Sequence, residues 1–544
     1  MSGAYTVLVN FSGANGDNPF GLGPDIGGTL YGTTFGGGSA DFGTVFSYGI
    51  GSGQLQTLTS FAYVGGGGYQ PQASVADVGG TLYGTTSQGG SSGDGTLYSL
   101  DPATGQTSFL VSFNGKDGAD PQAGVTAVNG TLYGTTLRGG TTDQGTLYAY
   151  NPATTQLQTL VDFNGTDGQD PSATLLDVGG TLYGTTYSGG AKGGGSVFSY
   201  DPATGQLLTL VSFDSVNGAS PLGGLTDVNG ILYGTTEYGG TSKDGTLFSY
   251  DPATGGFQTL INFDGTDGAL PITGLTDVGG TLYGTTYEGG SSNNGTLFSY
   301  SITTGQLQTL HTFSTADGIG PTVTLVDVND TLYGMTENGG TGSGGTLFSY
   351  ALPCFAAGTR LRTEAGPCAV ERLRPGVVVV LADGRTAPVV WIGHRGIDCR
   401  RHPRPERVWP VRIAAGAFGP GLPARPLWLS PDHALFIDGA LIPVKHLIDG
   451  RAIAQLRVAR VTYYHVELPR HDVLLAEGLA VESYLDDGAR ARFAGGGVVA
   501  LHPDFSARAR EADGCAPLVV TGPVLAAARA RVAAGAAWGY ALAS

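Results

Sequence analysis

The chain has 544 residues, a formal net charge of −17 and four cysteines. Its length allows two or three domains. Residues 1–350 carry four Lys and Arg against 27 Asp and Glu, a net of −23, whereas residues 351–544 carry 23 against 17, a net of +6. Nucleic acids and anionic membranes repel so acidic a surface, so neither is a predicted partner. No apolar run of about 18 residues occurs, so no membrane span is predicted.

The N-terminus and the cysteines bear on location and on metal binding. The first residues lack the charged and apolar regions of an ordinary signal peptide. Because the repeats are acidic, glycine-rich and free of cysteine, we expect an extracellular or cell-surface protein exported by another signal, with a cytoplasmic protein as the alternative. Cys399 and His402 make only half a zinc site. No cofactor or metal is predicted.

The first 350 residues are a tandem repeat of about 50 residues, which indicates a propeller, a solenoid or an array. The tyrosines of its recurring GTLYGTT segment are Tyr31, Tyr83, Tyr133, Tyr183, Tyr233, Tyr283 and Tyr333. The fourth copy predicts four short strands, at 173–178, 181–186, 196–200 and 206–213, separated by turns rich in Gly, Asn and Pro. Four strands in about 50 residues match the size of one propeller blade.

The two ends of the array predict how it closes. Every repeat but the seventh ends in an apolar strand with a final Phe, and the spare copy, YTVLVNF, stands at residues 5–11. This strand can complete the seventh unit and remove the exposed sheet edges. We therefore predict an all-β fold, with a seven-bladed β-propeller at residues 1–350 and a second all-β domain after it. The repeats resemble kelch-like propeller repeats and, more closely, GTLYGTT repeats of bacterial extracellular proteins.

The repeats offer no constellation for catalysis. The loops at 114–118, 164–168 and 264–268 resemble calcium loops, but Asp and Asn before Gly are also ordinary turn residues. The recurring Tyr and Phe fit a blade core better than a sugar-stacking platform. The single histidine is His311. A glycan or a protein is the ligand that such a propeller can take.

Residues 351–544 hold seven of the eight histidines. Short strands are predicted at 360–363, 376–381, 387–392, 408–413, 427–430, 434–437, 462–468 and 473–476. Four segments in order resemble the Hint domain of inteins and Hedgehog proteins: CFAAGT at 354–359, ERLRPG at 371–376, SPDH at 430–433, and YHVEL with HDVLLAEG at 464–478. They look most like a bacterial subfamily of Hint domains at the C-terminal ends of repeat proteins.

The resemblance implies an intramolecular cysteine autoprotease. Cys354 would attack the Pro353 carbonyl in an N-to-S acyl shift, so that a thioester replaces the scissile amide bond between Pro353 and Cys354. His433 would protonate the departing nitrogen, and Ser430 would hold the scissile carbonyl or orient the imidazole. His465 and His471 are candidates to activate the nucleophile that attacks the thioester. Thr359 and Asp472 are expected to support the site.

The departures from the Hint pattern limit the outcome. Splicing needs a terminal His-Asn, but the corresponding segment reads VESY at 481–484. The thioester is therefore expected to be hydrolysed by water or transferred to an unknown acceptor nucleophile, releasing the propeller without splicing. Pro353, which is bulky and constrained, is expected to slow the attack.

Each candidate residue also has a structural interpretation, with Cys354 as a buried thiol and the histidines as core residues. The alternative function is a non-catalytic surface binding protein or adhesin with the Hint fold as an end-piece. We assign residues 351–494 to the Hint domain and 495–544 to a tail with a helix at 523–543. Packing of this helix on the Hint core is favoured over adduct recognition or a secretion signal.

Overall fold

The computed structural model describes residues 4–63, 66–278, 280–302, 305–328, 331–351, 355–400, 405–468, 472–483 and 523–541. Over these ranges the protein is built from β-strands. Short 3₁₀ segments lie at Val370–Arg372, Pro405–Arg407 and Val444–Leu447, and one α-helix spans Pro523–Ala541. No helix in the described part of the chain is long and apolar enough to cross a membrane.

Each copy of the repeat forms one small antiparallel sheet. Sheet one contains Asp17–Asp25, Thr29–Gly36, Thr44–Gly49 and Gln54–Ser60; sheet two contains Ala76–Val78, Thr81–Thr86, Thr96–Leu100 and Thr107–Ser112; sheet three contains Thr126–Val128, Thr131–Thr136, Thr146–Asn151 and Gln156–Asp162; sheet four contains Leu176–Val178, Thr181–Thr186, Ser196–Asp201 and Gln206–Ser212. Sheet five contains Thr226–Val228, Ile231–Thr236, Thr246–Asp251 and Gly256–Asn262; sheet six contains Thr276–Asp277, Thr281–Thr286, Thr296–Ser301 and Leu307–Thr312; sheet seven contains Ile319–Pro321, Val326–Asp327, Thr331–Asn338, Thr346–Ala351 and the N-terminal strand Ala4–Asn10. A two-stranded ribbon joins Gly68–Tyr69 to Gln88–Gly89. All four strands predicted for the fourth copy are present, but the first is shorter than predicted, at Leu176–Val178.

The repeated motif reflects one packing arrangement. A Cβ on Gly184, the glycine of LYG, would lie 2.5 Å from the ring of Phe198 on the next strand, so only glycine fits there. The neighbouring Leu182 is fully buried. The last threonine of the motif, Thr186, shares a 2.8 Å hydrogen bond with the hydroxyl of Ser196, which pairs the second and third strands. Tight packing of this kind tolerates little variation, which accounts for the near-identity of the copies.

The N-terminal strand completes sheet seven. Ala4–Asn10 pairs antiparallel with Thr346–Ala351, placing Tyr5 opposite Tyr350. The ring of Tyr5 stacks on His311 of sheet six, with centroids 4.0 Å apart, and its hydroxyl donates to the Asp317 carbonyl at 2.8 Å. The pairing predicted between the two ends of the array is therefore present.

Neighbouring sheets are joined by side-chain contacts that repeat along the array. Thr226 Oγ1 of sheet five donates to the Leu275 carbonyl, just before sheet six, at 2.6 Å. The same type of bond joins the last sheet to the first, because Thr322 Oγ1 donates to the Pro19 carbonyl at 3.0 Å. One hydrophobic cluster contains residues of both sheets: Phe11, Leu22, Leu30, Phe46, Val323, Tyr333 and Leu347. Sheets one and seven are therefore direct neighbours.

Two further antiparallel sheets follow the repeats. In spatial order, one contains Trp391–Asp398, Arg460–Glu467, Phe355–Ala356, Leu427–Leu429, Val411–Ile413 and Ile453–Gln455. The other contains Thr386–Pro388, Val378–Val380, Arg360–Thr363, Val473–Ala476, Leu479–Glu482, Ala434–Ile437 and Ala440–Pro443, with Gly366–Ala369 paired to Arg360–Thr363. The predicted strands at 360–363, 434–437 and 473–476 have the observed bounds.

The C-terminal helix packs on these two sheets. Leu525, Ala528 and Val532 are buried in the same hydrophobic cluster as Leu435 and Leu447. They lie three or four residues apart, so they share one face of the helix. Packing, the role favoured for this helix from the sequence, is what the structure shows.

Candidate functional site

The candidate site is built around the turn that carries His433. This turn joins strand Leu427–Leu429 of one sheet to strand Ala434–Ile437 of the other. The backbone N–H of His433 donates to the Ser430 carbonyl at 3.1 Å. Both residues are buried, with exposed fractions of 1% for His433 and 7% for Ser430. The turn therefore holds the histidine between the two sheets, away from bulk water.

The segment that follows strand Ala440–Pro443 is hydrogen-bonded to this turn. Val444 N donates to the His433 carbonyl and Lys445 N to the Pro431 carbonyl, both at 2.9 Å. Lys445 Nζ also pairs with Asp432 Oδ1 at 2.6 Å. Since backbone and side chain act together, the turn has little freedom to move.

The hydrogen bond of the His433 ring defines which nitrogen carries the proton. Nε2 lies 3.1 Å from the main-chain oxygen of Glu482. A carbonyl oxygen can only accept, so Nε2 carries a hydrogen and Nδ1 is the nitrogen that can exchange a proton. A buried imidazole with one nitrogen fixed in this way is suited to proton transfer.

The strand Phe355–Ala356 lies beside this turn. Phe355 pairs with Leu429 on one side and with Tyr464 on the other. Its ring lies 4.3 Å from the His433 ring, between centroids. Pro353 and Cys354, the predicted scissile pair, lie outside the described residues. The residue that directly follows Cys354 is thus in contact with His433.

The chain after this strand is held by two hydrogen bonds, one from a side chain and one from the backbone. Thr359 is buried, and its Oγ1 donates to the Trp428 carbonyl at 3.0 Å. The N–H of Gly358 donates to Glu371 Oε2 at 3.0 Å. Gly358 has a φ of +88°, which favours glycine. These contacts give Gly358 and Thr359 of the CFAAGT segment a structural role, because they hold the chain directly after strand Phe355–Ala356.

His465 lies on the strand Arg460–Glu467 and is 1% exposed. It pairs with Gly393 and directly follows Tyr464, the partner of Phe355. The Tyr464 ring stacks on His394 with centroids 5.3 Å apart, and burial together with the charge of Glu371 raises the pKa of the Tyr464 hydroxyl. The structure therefore places His465 on the neighbouring strand to Phe355.

His471 lies outside the described residues, but Asp472 is described. Asp472 Oδ2 accepts a bond from Arg385 at 2.7 Å, and Oδ1 accepts the N–H of Val473 at 2.9 Å. Its own N–H donates to Ser483 Oγ at 2.8 Å. The Asp472 carboxylate is thus engaged by Arg385 and by the backbone N–H of Val473.

The sequence did not indicate Glu482 and Ser483 as members of this site. Glu482 is fully buried, and its Oε1 accepts the N–H of Ala434 at 2.6 Å. Ser483 is 1% exposed and bonds Asp472. The available signal was a Glu-Ser pair directly after the apolar residues Leu479 to Val481, because buried polar groups need partners.

Metal binding finds no support in the described part of the chain. There, no group of three or more His, Cys, Asp and Glu residues is arranged to hold a metal ion. His402, half of the incomplete zinc motif, lies outside the described residues.

The class of protein follows from this fold and from two family matches: a tandem-repeat region is fused to a C-terminal Hint domain. The sequence model of the Gloeobacter/Verrucomicrobia repeat matches residues 70–298 and 271–364, and that of the Hint domain matches residues 353–488. The repeat matches span more than half of the chain, so the protein belongs to the Gloeobacter/Verrucomicrobia repeat family and carries a Hint domain. A search among curated proteins gave no match.

Solved structures show a distant likeness to the chain. The nidogen/laminin complex is 17% identical, with a TM-score of 0.32, and the match covers 45% of this chain and 80% of that one. The extracellular domain of a putative hybrid two-component system from B. thetaiotaomicron is 14% identical, with a TM-score of 0.45, covering 71% and 45%. That of a putative one-component system from the same organism has 14% identity and a TM-score of 0.43, covering 71% and 51%. The chain thus spans about half the length of these two domains.

Proposed function

We propose that the seven repeat sheets form one closed, seven-bladed β-propeller. Support comes from the pairing of Ala4–Asn10 with Thr346–Ala351 and from the bond between Thr322 and Pro19. These contacts join the first sheet to the seventh, as a ring requires and a linear array does not. In this proposal residues 1–350 are the propeller, 351–494 the Hint domain and 495–544 its tail.

We further propose that the protein cleaves itself at the bond between Pro353 and Cys354. The Cys354 sulfur forms a bond to the Pro353 carbonyl carbon, and the carbon–nitrogen bond breaks. The nitrogen of Cys354 takes up a proton and becomes an amine, while Pro353 is left as a thioester. His433 is the proton donor in this step: its Nδ1 takes the proton that the Cys354 thiol loses and passes it to the leaving nitrogen, because Nε2 is held by the Glu482 carbonyl.

The second step releases the repeat region. Water adds to the thioester carbonyl, the carbon–sulfur bond breaks, and the products are a Pro353 carboxylate and the Cys354 thiol. An external nucleophile in place of water would become attached to Pro353 instead. His465 and His471 are the proposed bases for this attack. Since no Asn stands at 481–484, the far end of the Hint domain remains uncut.

The observation that carries the proposal is the contact between the rings of Phe355 and His433 at 4.3 Å. It joins the neighbour of the proposed nucleophile to the proposed acid inside a region that matches the Hint domain. Proximity of this kind is a large part of how an intramolecular nucleophile overcomes amide stability. Because the repeats are acidic, glycine-rich and free of cysteine, the proposed location of the released product is extracellular or at the cell surface.

Trapping the thioester tests the proposal. Purified full-length protein is treated with dithiothreitol or hydroxylamine and followed by intact mass. We expect both reagents to accelerate cleavage and hydroxylamine to leave a hydroxamate on Pro353. A chain that stays whole in both reagents contradicts autoprocessing and favours the non-catalytic binding protein.

A further inference from the structure

Glu482 and Ser483, at the end of strand Leu479–Glu482, are buried polar residues to which the proposed steps give no role. Their exposed fractions are 0% and 1%. A carboxyl group in such a place is costly unless other groups hold it. The contacts of the Glu482 carboxyl group therefore indicate its role.

Glu482 holds His433 at two points. Its main-chain oxygen accepts Nε2–H of the imidazole at 3.1 Å, and its side-chain Oε1 accepts the N–H of Ala434, the next residue, at 2.6 Å. The first contact fixes the ring and the second fixes the peptide that carries it. The main-chain contact keeps the proton on Nε2, and the side-chain contact holds the peptide that follows the ring in one position.

Ser483 extends the same connection to the other predicted histidine segment. Its Oγ accepts the N–H of Asp472 at 2.8 Å, and its own N–H donates to the Asp472 carbonyl at 2.8 Å. Asp472 directly follows His471 in the sequence. The Glu482-Ser483 pair thus ties the His433 turn to the segment beside His471.

We propose that Glu482 is a positioning residue for His433, which it holds with the proton on Nε2 so that Nδ1 exchanges a proton with the Cys354 nitrogen. This inference rests on the proposed autoprocessing. The Glu482 side chain acts as a hydrogen-bond acceptor, so Gln, which keeps an Oε1 acceptor, replaces it, whereas Ala does not.

The ¹⁵N signals of the His433 ring are the direct readout, and they do not depend on cleavage. Full-length protein is labelled with ¹⁵N in its histidine rings, and the His433 signals are identified by their loss in His433→Gln. We expect one sharp Nε2–H form in the wild type and in Glu482→Gln, and shifted and broadened ring signals in Glu482→Ala. The main-chain acceptor of Nε2–H remains in every variant, and only the peptide beside the ring is released. The matched control is Glu477→Ala, because Glu477 Oε1 also accepts a backbone N–H, from Arg360 at 3.1 Å, at the turn of the same hairpin.

The cleavage rate is the second readout. Removing a positioning contact in Glu482→Ala is expected to slow cleavage about tenfold or more relative to Glu477→Ala, while Glu482→Gln stays within about threefold of the wild type. Where Glu482→Ala fails to fold, Glu482→Met removes the acceptor at similar volume. Unchanged His433 ring signals in the Ala or Met variant overturn the inference, as does a Gln variant as slow as Ala. If the wild type never cleaves, the proposed function fails, and the ring spectra still decide the positioning role.

Discussion

The ring of Phe355 lies 4.3 Å from the ring of His433, with the two planes tilted by 57°. The contact follows from strand pairing, because Phe355 lies opposite Leu429, one residue before the turn that carries His433. The sheet therefore sets the distance between the start of the Hint domain and its buried histidine. The proposed chemistry at Cys354 depends on this relationship.

Replacing His433 tests its role as the proton donor. His433→Gln is expected to reduce the cleavage rate about a hundredfold or more, because a positioned acid contributes roughly that factor. Gel densitometry over time gives the rate. The control is His446→Gln, since the contact of His446 with Arg529 uses its main-chain oxygen. Equal rates for the two variants would show that His433 is only a core residue.

Tyr5 tests the closure of the repeat array. Tyr5→Ala is expected to lower the free energy of unfolding by about 2 kcal/mol, because the ring loses its stacking on His311 and its bond to Asp317. Urea unfolding measures the change. Tyr63→Ala is the control, because that side chain is 71% exposed and loses only ring contacts with Phe42 and Tyr69, so it should cost clearly less. A Tyr5 variant as stable as the Tyr63 variant speaks against a stabilising closure.

Asp267 predicts a pH dependence of stability. Burial, with the charge of Asp264 as a smaller cause, raises the pKa of the Asp267 carboxyl to about 6. Its unfolded pKa is about 3.9, so the folded state binds the proton more tightly and stability falls as pH rises between about 4 and 6. Asp267→Asn should therefore stabilise the protein at pH 7 by about 1–2 kcal/mol, discounted for partial exposure, and not at pH 4.

The neighbouring repeat provides the reason why Asn fits there. Asn217 stands at the equivalent position, and its Oδ1 accepts the N–H of Asp214 at 3.0 Å, as Asp267 Oδ1 accepts that of Asp264 at 3.1 Å. Thermal unfolding of wild type and Asp267→Asn across pH 4–7 gives the comparison. A constant difference at all pH values would contradict the raised pKa.

The C-terminal helix is expected to support the site through the segment Val444–Leu447. Leu525→Ala should cost about 2–4 kcal/mol, because Leu525 is buried in the core of the Hint region, and cleavage should slow as the His433 turn loosens. Leu422→Ala, at a side chain that is 41% exposed, is the control. Chemical unfolding and the cleavage rate are measured together. Stability and rate that match the control would mean that the helix is dispensable.

The sequence was most informative where one pattern repeats. GTLYGTT and the spare strand at residues 5–11 predicted seven four-stranded units and the addition of the N-terminal strand to the seventh, because strand pattern and turn residues are local signals. The register, with Tyr5 opposite Tyr350, came only from the structure. The small strands Phe355–Ala356 and Ile453–Gln455 went unpredicted. Strands of two or three residues are fixed by their partners and carry almost no pattern of their own.

The candidate site was predicted in part. His433 and Ser430 stand out because their motif is local, and both lie buried in one turn. The partner of Glu482 could not be inferred, because its contact with Ala434 joins positions 48 residues apart. Only folding brings such a pair together, and a single sequence holds no sign of that pairing.

The most direct test of the account is the intact mass of full-length protein against time, for wild type and Cys354→Ala. We expect the wild type to yield a fragment that ends at Pro353 and a second that begins at Cys354, and Cys354→Ala to stay whole. Cleavage at the same bond in Cys354→Ala, or a wild type that remains whole throughout, would contradict it.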